Sequence, residues 1–167
     1  VLLEKLENRE LDVCLISSLD YRDNVHWEQL WSEQLYLIVP TNHRLANETT
    51  VKLADFVDEP FISIKKGNSL RRTVDMLYKQ AGYILQPAFE GEEVHTLAGL
   101  VESGLGVSLI PQIKGLDQYA LKVIAVDEPN CYREIGLVYI EQHQRSIVVE
   151  QFIHYVRAYF TEGTKKV

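Results

Sequence analysis

The stretch Lys65-Lys66-Gly67-Asn68-Ser69 is where this sequence most plainly offers chemistry. It follows the apolar run Phe61-Ile62-Ser63-Ile64 and precedes a helical pattern whose apolar positions are Leu70, Val74, Leu77 and Ala81. A helix start carries N–H groups without intrahelical partners and a partial positive charge, so it favours a carboxylate or another anion. Lys65 and Lys66 add charge, and Gly67 lets the backbone approach a bound group closely. Asn68 or Ser69 is the expected N-cap. The plainer alternative is a solvated loop in which Ser69 caps a helix and does nothing else.

A second helix start, Gly91-Glu92-Glu93-Val94-His95-Thr96, follows the strand-like Pro87 to Glu90. His95 and Thr96 can donate to a ligand, whereas Glu92 and Glu93 favour a cationic group. Acidic residues also suit a helix start for dipole reasons alone. Ser17 and Ser18 follow the apolar run Leu11 to Ile16 and offer two hydroxyls; as ordinary loop residues they need no ligand.

Enzyme chemistry finds little support. The five histidines (26, 43, 95, 143 and 154) form no HExxH, and neither a GxSxG elbow nor a P-loop occurs. Gly104-Leu105-Gly106 follows a helical pattern, where a dinucleotide fingerprint follows a strand, and reads as a helix stop and tight turn. Cys14 and Cys131 lie far apart, which is neither a disulfide framework nor a metal site. No catalytic residue, metal or cofactor is expected.

The elements that must position these loops alternate. Val1 to Leu6 is helical, with Leu2, Leu3 and Leu6 on one side, and starts without a cap, as a fragment would. Strands are expected at Leu11 to Ile16, Gln34 to Val39, Phe61 to Ile64, Gly106 to Ile110, Leu121 to Val126 and Ile135 to Ile140. A brief helical turn falls at Leu53 to Phe56. A helix carrying Val94, Leu97, Ala98 and Val101 closes at Ser103-Gly104. The last helix, Ser146 to Phe160, is expected to turn Val148, Phe152, Tyr155, Val156 and Tyr159 inward. Strands alternating with helices imply a largely parallel sheet covered by helices.

At 167 residues the chain fits one domain or two small lobes. Its formal net charge of −7 disfavours direct contact with a phosphate backbone. No run approaches the ~18 apolar residues of a membrane span, and a reducing, cytoplasmic setting is the default.

Several stretches then fall into a familiar order. Leu11-Asp12-Val13-Cys14-Leu15-Ile16, Leu35 to Pro40 with His43-Arg44-Leu45-Ala46, Glu59-Pro60-Phe61-Ile62 and Ser69-Leu70-Arg71 come first. Leu100-Val101-Glu102-Ser103-Gly104-Leu105-Gly106-Val107-Ser108-Leu109-Ile110-Pro111 completes the set. In this order they resemble the effector-binding domain of LysR-type bacterial transcription regulators.

The resemblance implies an α/β fold of two Rossmann-like lobes joined by two crossover strands, like type II periplasmic binding proteins. The crossovers would lie near Val39 to Asn42 and between Pro111 and Arg133. Residues 1–40 and 128–167 would form the first lobe, incomplete at its start, and 41–127 the second. A winged helix-turn-helix domain, absent from this chain, would carry all DNA contact. A small, anionic metabolite would bind between the lobes of a dimer or tetramer, at Lys65, Lys66, Gly67, Asn68, Ser69, Glu93, His95, Thr96, Ser17 and Ser18. Family members that sense peroxide use paired cysteines in the second lobe, which Cys14 and Cys131 do not match. Self-association is expected to use Leu2, Leu3 and Leu6. A solute-binding protein or an enzyme on the same fold stays open as the alternative.

Overall fold

The computed structural model describes residues 2–17, 24–141 and 145–163, without the side chains of 162 and 163. The chain divides into two compact units, Val1–Ser32 with Glu134–Val167, and Glu33–Arg133.

In the first unit, helix α1 (Leu2–Glu7) leads to strand β1 (Val13–Ser17). Strand β8 (Tyr132–Ile140) lies between β1 and β2 (Val25–Pro40) in the sheet order. β1 and β8 run antiparallel, with Val13 opposite Tyr139 and Ser17 opposite Ile135. Helix α4 (Ile147–Gly163) packs Ile153 and Val156 on Leu137 and Tyr139, flanked by Val13, Leu30, Val149 and Phe160.

This reverses much of the expected face of α4. Val148, Phe152, Tyr155 and Tyr159 are exposed, at 69, 48, 64 and 60 %, and of the five inward assignments only Val156 is buried. Two apolar rows one residue apart run along this helix, and spacing cannot choose between them. Contacts with β2 choose: Arg157 grips the Glu28 carboxylate at 2.6 and 2.8 Å, and Phe160 stacks on Trp31 with ring centroids 4.6 Å apart. Leu6 likewise is not available for association, because it is buried at 1 % exposure within its own chain.

The second unit holds the larger core. β2 pairs antiparallel with β6 (Ser108–Pro111) and with β7 (Leu121–Glu128), and β3 (Thr50–Lys52) lies parallel to β7. β4 (Ile62–Ile64) and β5 (Phe89–Gly91) form a parallel pair. Helices α2 (Ser69–Gln80) and α3 (Val94–Glu102) bury Leu70, Val74, Leu77, Leu97, Ala98 and Val101 among Leu35, Leu37, Ile62 and Ile110. The sheets are therefore mixed, not largely parallel. β2 starts at Val25, well before Gln34, and this long strand runs against its neighbours. β3 leaves no readable trace in the sequence, since three residues carry too little pattern.

Gly106 explains why two of the sequence signatures travel together. At φ +153° it packs against Pro60, where a β-carbon would overlap the Pro60 carbonyl. This close approach lets Val107 N–H donate to Pro60 O at 2.9 Å and Ile62 N–H to Val107 O at 2.8 Å. The buried Ser108 hydroxyl adds a bond to Ile62 O at 2.7 Å. The edge of β4 is thus fastened to the strand after α3.

Candidate functional site

Two loops are brought side by side by the parallel pairing of β4 and β5. Ile64 stands opposite Gly91, and Lys65 N–H donates to Gly91 O at 2.9 Å, so both strands end at one level. Loops at such strand ends are where open α/β sheets hold ligands. Lys65 to Asn68 opens α2, and Glu92-Glu93 opens α3. Lys65, Lys66, Gly67, Asn68, Ser69, Glu93, His95 and Thr96 therefore share one edge of the second unit.

The α2 start is satisfied from within. Asn68 is the N-cap: its side-chain oxygen accepts the Leu70 N–H at 2.9 Å. Ser69 is the first helical residue, half-exposed, and its hydroxyl has no hydrogen-bond partner among the described residues. Gly67 holds φ +96° with open space where a side chain would be, so the turn itself calls for glycine.

Charge in the site is mostly compensated. Lys65 Nζ lies 2.7 Å from a Glu92 carboxylate oxygen, bridging the loops. That hydrogen bond, reinforced by the opposite charge, holds Glu92 below its usual carboxylate value and Lys65 above its usual amine value. Lys66 is exposed and has no ion-pair partner among the described residues. Glu92, read from sequence as favouring a cation, is thus already engaged by one.

Sequence reasoning overlooked Arg71 as a member of this edge, although it stands in the quoted Ser69-Leu70-Arg71. It is 3 % exposed and donates to Asp75 at 2.9 Å, to Ile64 O at 3.2 Å and to Glu90. Burial works against its charge, yet bonds to Asp75 and Glu90 outweigh that and hold its pKa above the ordinary value. Only tertiary structure shows that it braces the ends of β4 and β5 instead of facing solvent.

The α3 start differs. Glu93 takes the N-cap position but makes no side-chain cap bond. His95 and Thr96 are exposed on the first turn. Of the two helix starts, α3 therefore keeps more of its N–H groups available to an incoming anion. The connection 112–120 lies next to it, and an open recess of about 470 Å³ is lined there by residues including Ile113, Lys114, Leu116, Tyr119 and Val123.

Ser17 belongs to the first unit. It is buried at the end of β1, and its hydroxyl has no partner among the described residues. Ser18 lies outside the described residues. The thiols are ordinary: burial raises the pKa of Cys14 and pushes that of Cys131 up to about 12, so neither is a ready thiolate.

An α/β chain of two units, one presenting paired helix starts at a sheet edge, has the architecture of a ligand-sensing domain. The family model described as LysR substrate binding domain matches residues 1–161, and the chain belongs to that family, the effector-binding part of LysR-type regulators. The uncharacterized HTH-type transcriptional regulator YybE of Bacillus subtilis (strain 168) is 43 % identical over 161 residues, 96 % of this chain and 55 % of that protein. The transcriptional dual regulator GltC of the same organism is 28 % identical, again over 96 % of this chain and 55 % of its own length. The chain thus spans about half the length of the curated relatives it matches. Among solved structures, the effector-binding domain of QuiR in complex with shikimate superposes with a TM-score of 0.87 at 25 % identity. That match covers 96 % of this chain and 77 % of the QuiR domain. Among the described residues no helix is long and apolar enough to cross a membrane.

Proposed function

We propose that this chain senses a small anionic metabolite for a LysR-type regulator. The effector sits at the edge formed by Lys65 to Ser69 and Glu93 to Thr96. The observation that carries this reading is the β4–β5 pair. It delivers two helix starts to one edge, one of them with no side-chain cap, beside Lys66, which has no ion-pair partner among the described residues. Shikimate, the ligand in the QuiR complex, carries a carboxylate, which matches that chemistry. In this reading residues 1–40 and 128–167 form the first lobe and 41–127 the second, bounds near those of the two compact units, Val1–Ser32 with Glu134–Val167 and Glu33–Arg133. The domain is regulatory and not catalytic. It acts in the cytoplasm as part of a homo-oligomer whose DNA contact lies in a separate domain.

The test is calorimetric titration of the full-length protein with small carboxylates and phosphates, shikimate and 2-phosphoglycolate among them, alongside amine counterparts of similar size. Binding of an anion that weakens in Lys66→Met and Thr96→Val is expected. Saturable binding of amines alone, unaffected by either change, would sink the proposal.

A further inference from the structure

Tyr119 touches the site from an element that carried no functional signal in the sequence. The connection 112–120 between β6 and β7 crosses α3 and is fastened near both ends of that helix. Near the helix start, the Tyr119 hydroxyl lies 3.3 Å from Nδ1 of His95, with ring centroids 6.1 Å apart. Near its end, a Glu102 carboxylate oxygen accepts the Ala120 N–H at 2.6 Å. Between them the Tyr119 ring passes over Gly99, where a β-carbon would stand 3.9 Å from its Cε1. The tip of the connection is held by the Gln118 amide, which donates to Gly115 O at 3.0 Å. A β-carbon at Gly115 would lie 3.7 Å from Cε1 of His95. The imidazole therefore has the connection on one side and the α3 start on the other.

A phenol is protonated at neutral pH, and its O–H is a good donor; a neutral imidazole has one N–H and one lone-pair nitrogen. Which ring nitrogen carries the proton is set by the hydrogen bond the other makes. We propose that Tyr119 is a positioning residue of the candidate effector site: its hydroxyl donates to Nδ1 of His95, holding the ring as the Nε2–H tautomer that offers an N–H donor to an anionic oxygen. This rests on the reading of the edge as an anion site and names the His95 atom that recognises the ligand. Nε2 makes no hydrogen bond among the described residues. The donor it offers agrees in sign with the backbone N–H groups of the same helix turn. The reverse arrangement, Nδ1–H donating to the phenol oxygen, would present a lone pair at Nε2 and select ligands with donors.

The tautomer can be read without knowing the effector. In full-length protein carrying 15N-labelled histidine, long-range proton–nitrogen correlation spectra at about pH 8, where imidazoles are neutral, report both ring nitrogens. His95 is assigned from the signals lost in His95→Gln. The expected result is a protonated Nε2 and a hydrogen-bonded Nδ1 that moves to the unbonded position in Tyr119→Phe. A protonated Nδ1 in the unsubstituted protein overturns the proposal, and that measurement does not depend on any variant folding. Ring signals indifferent to Tyr119→Phe overturn it as well. With shikimate as probe, Tyr119→Phe should lower affinity roughly three- to tenfold, the effect of misplacing one hydrogen bond. If the tautomer is as expected but shikimate, 2-phosphoglycolate and inorganic phosphate all leave the His95 signals unmoved, the tautomer assignment is upheld and the anion-site reading falls alone.

Discussion

Replacing Asn68 by alanine removes the oxygen that accepts the Leu70 N–H at 2.9 Å, and Leu70 is itself only 4 % exposed. Water has poor access to the orphaned amide, so the loss should fall near the typical cap value of about 1 kcal/mol or somewhat above it. For a chain of this size that is a fall in melting temperature of roughly 2–4 °C. Ser69→Ala removes a hydroxyl that has no partner among the described residues, so its effect on stability should stay within about 0.5 kcal/mol. If the hydroxyl meets the effector, Ser69→Ala should instead cost about 1 kcal/mol of affinity, near fivefold. Urea unfolding and calorimetric titration of both variants separate the two roles, since capping and binding sit on neighbouring residues. Equal stability losses in the two variants, with affinity unchanged in both, would refute the reasoning and leave this loop a helix start with no ligand.

The orientation of α4 predicts that Ile153→Ala costs about 3 kcal/mol in urea unfolding whereas Phe152→Ala, on the exposed row, costs under about 1; equal costs would mean the helix is turned wrongly. Gly106→Ala should destabilise by about 3 kcal/mol or more, because a β-carbon must displace the Pro60 carbonyl at a strained φ; near-native stability would contradict that close approach. The Lys65–Glu92 pair contributes only while both groups are charged. Glu92 sits below its ordinary 4.5, so its share is present above that value and lost as pH falls through the folded one; Lys65 sits above its ordinary 10.5, so its share is lost as pH rises through its own. An NMR titration of the Glu92 carboxyl should move upward in Lys65→Met, and an unmoved midpoint would break the pairing.

Much of the local structure was legible in the residues themselves. Asn68, Gly82 and the apolar spacing of Leu70, Val74 and Leu77 delimit α2, because capping and periodicity act over a few residues and leave a local trace. The two helix starts could be named as candidate sites for the same reason. What the sequence could not decide was whichever outcome depends on a partner far along the chain. The two apolar rows of α4 are equivalent until Glu28 and Trp31 on β2 select one of them. The strand direction of β2 depends on the strands it meets, not on its own residues, so the mixed pairing was hidden by the alternation of elements. Lys65 and Arg71 look like free cations in the sequence, and only the parallel register of β4 with β5 brings Glu92 and Glu90 to them. Tyr119 stands 24 positions from His95. No local pattern announces that contact, because a hydrogen bond between distant residues exists only once the core has set both backbones in place.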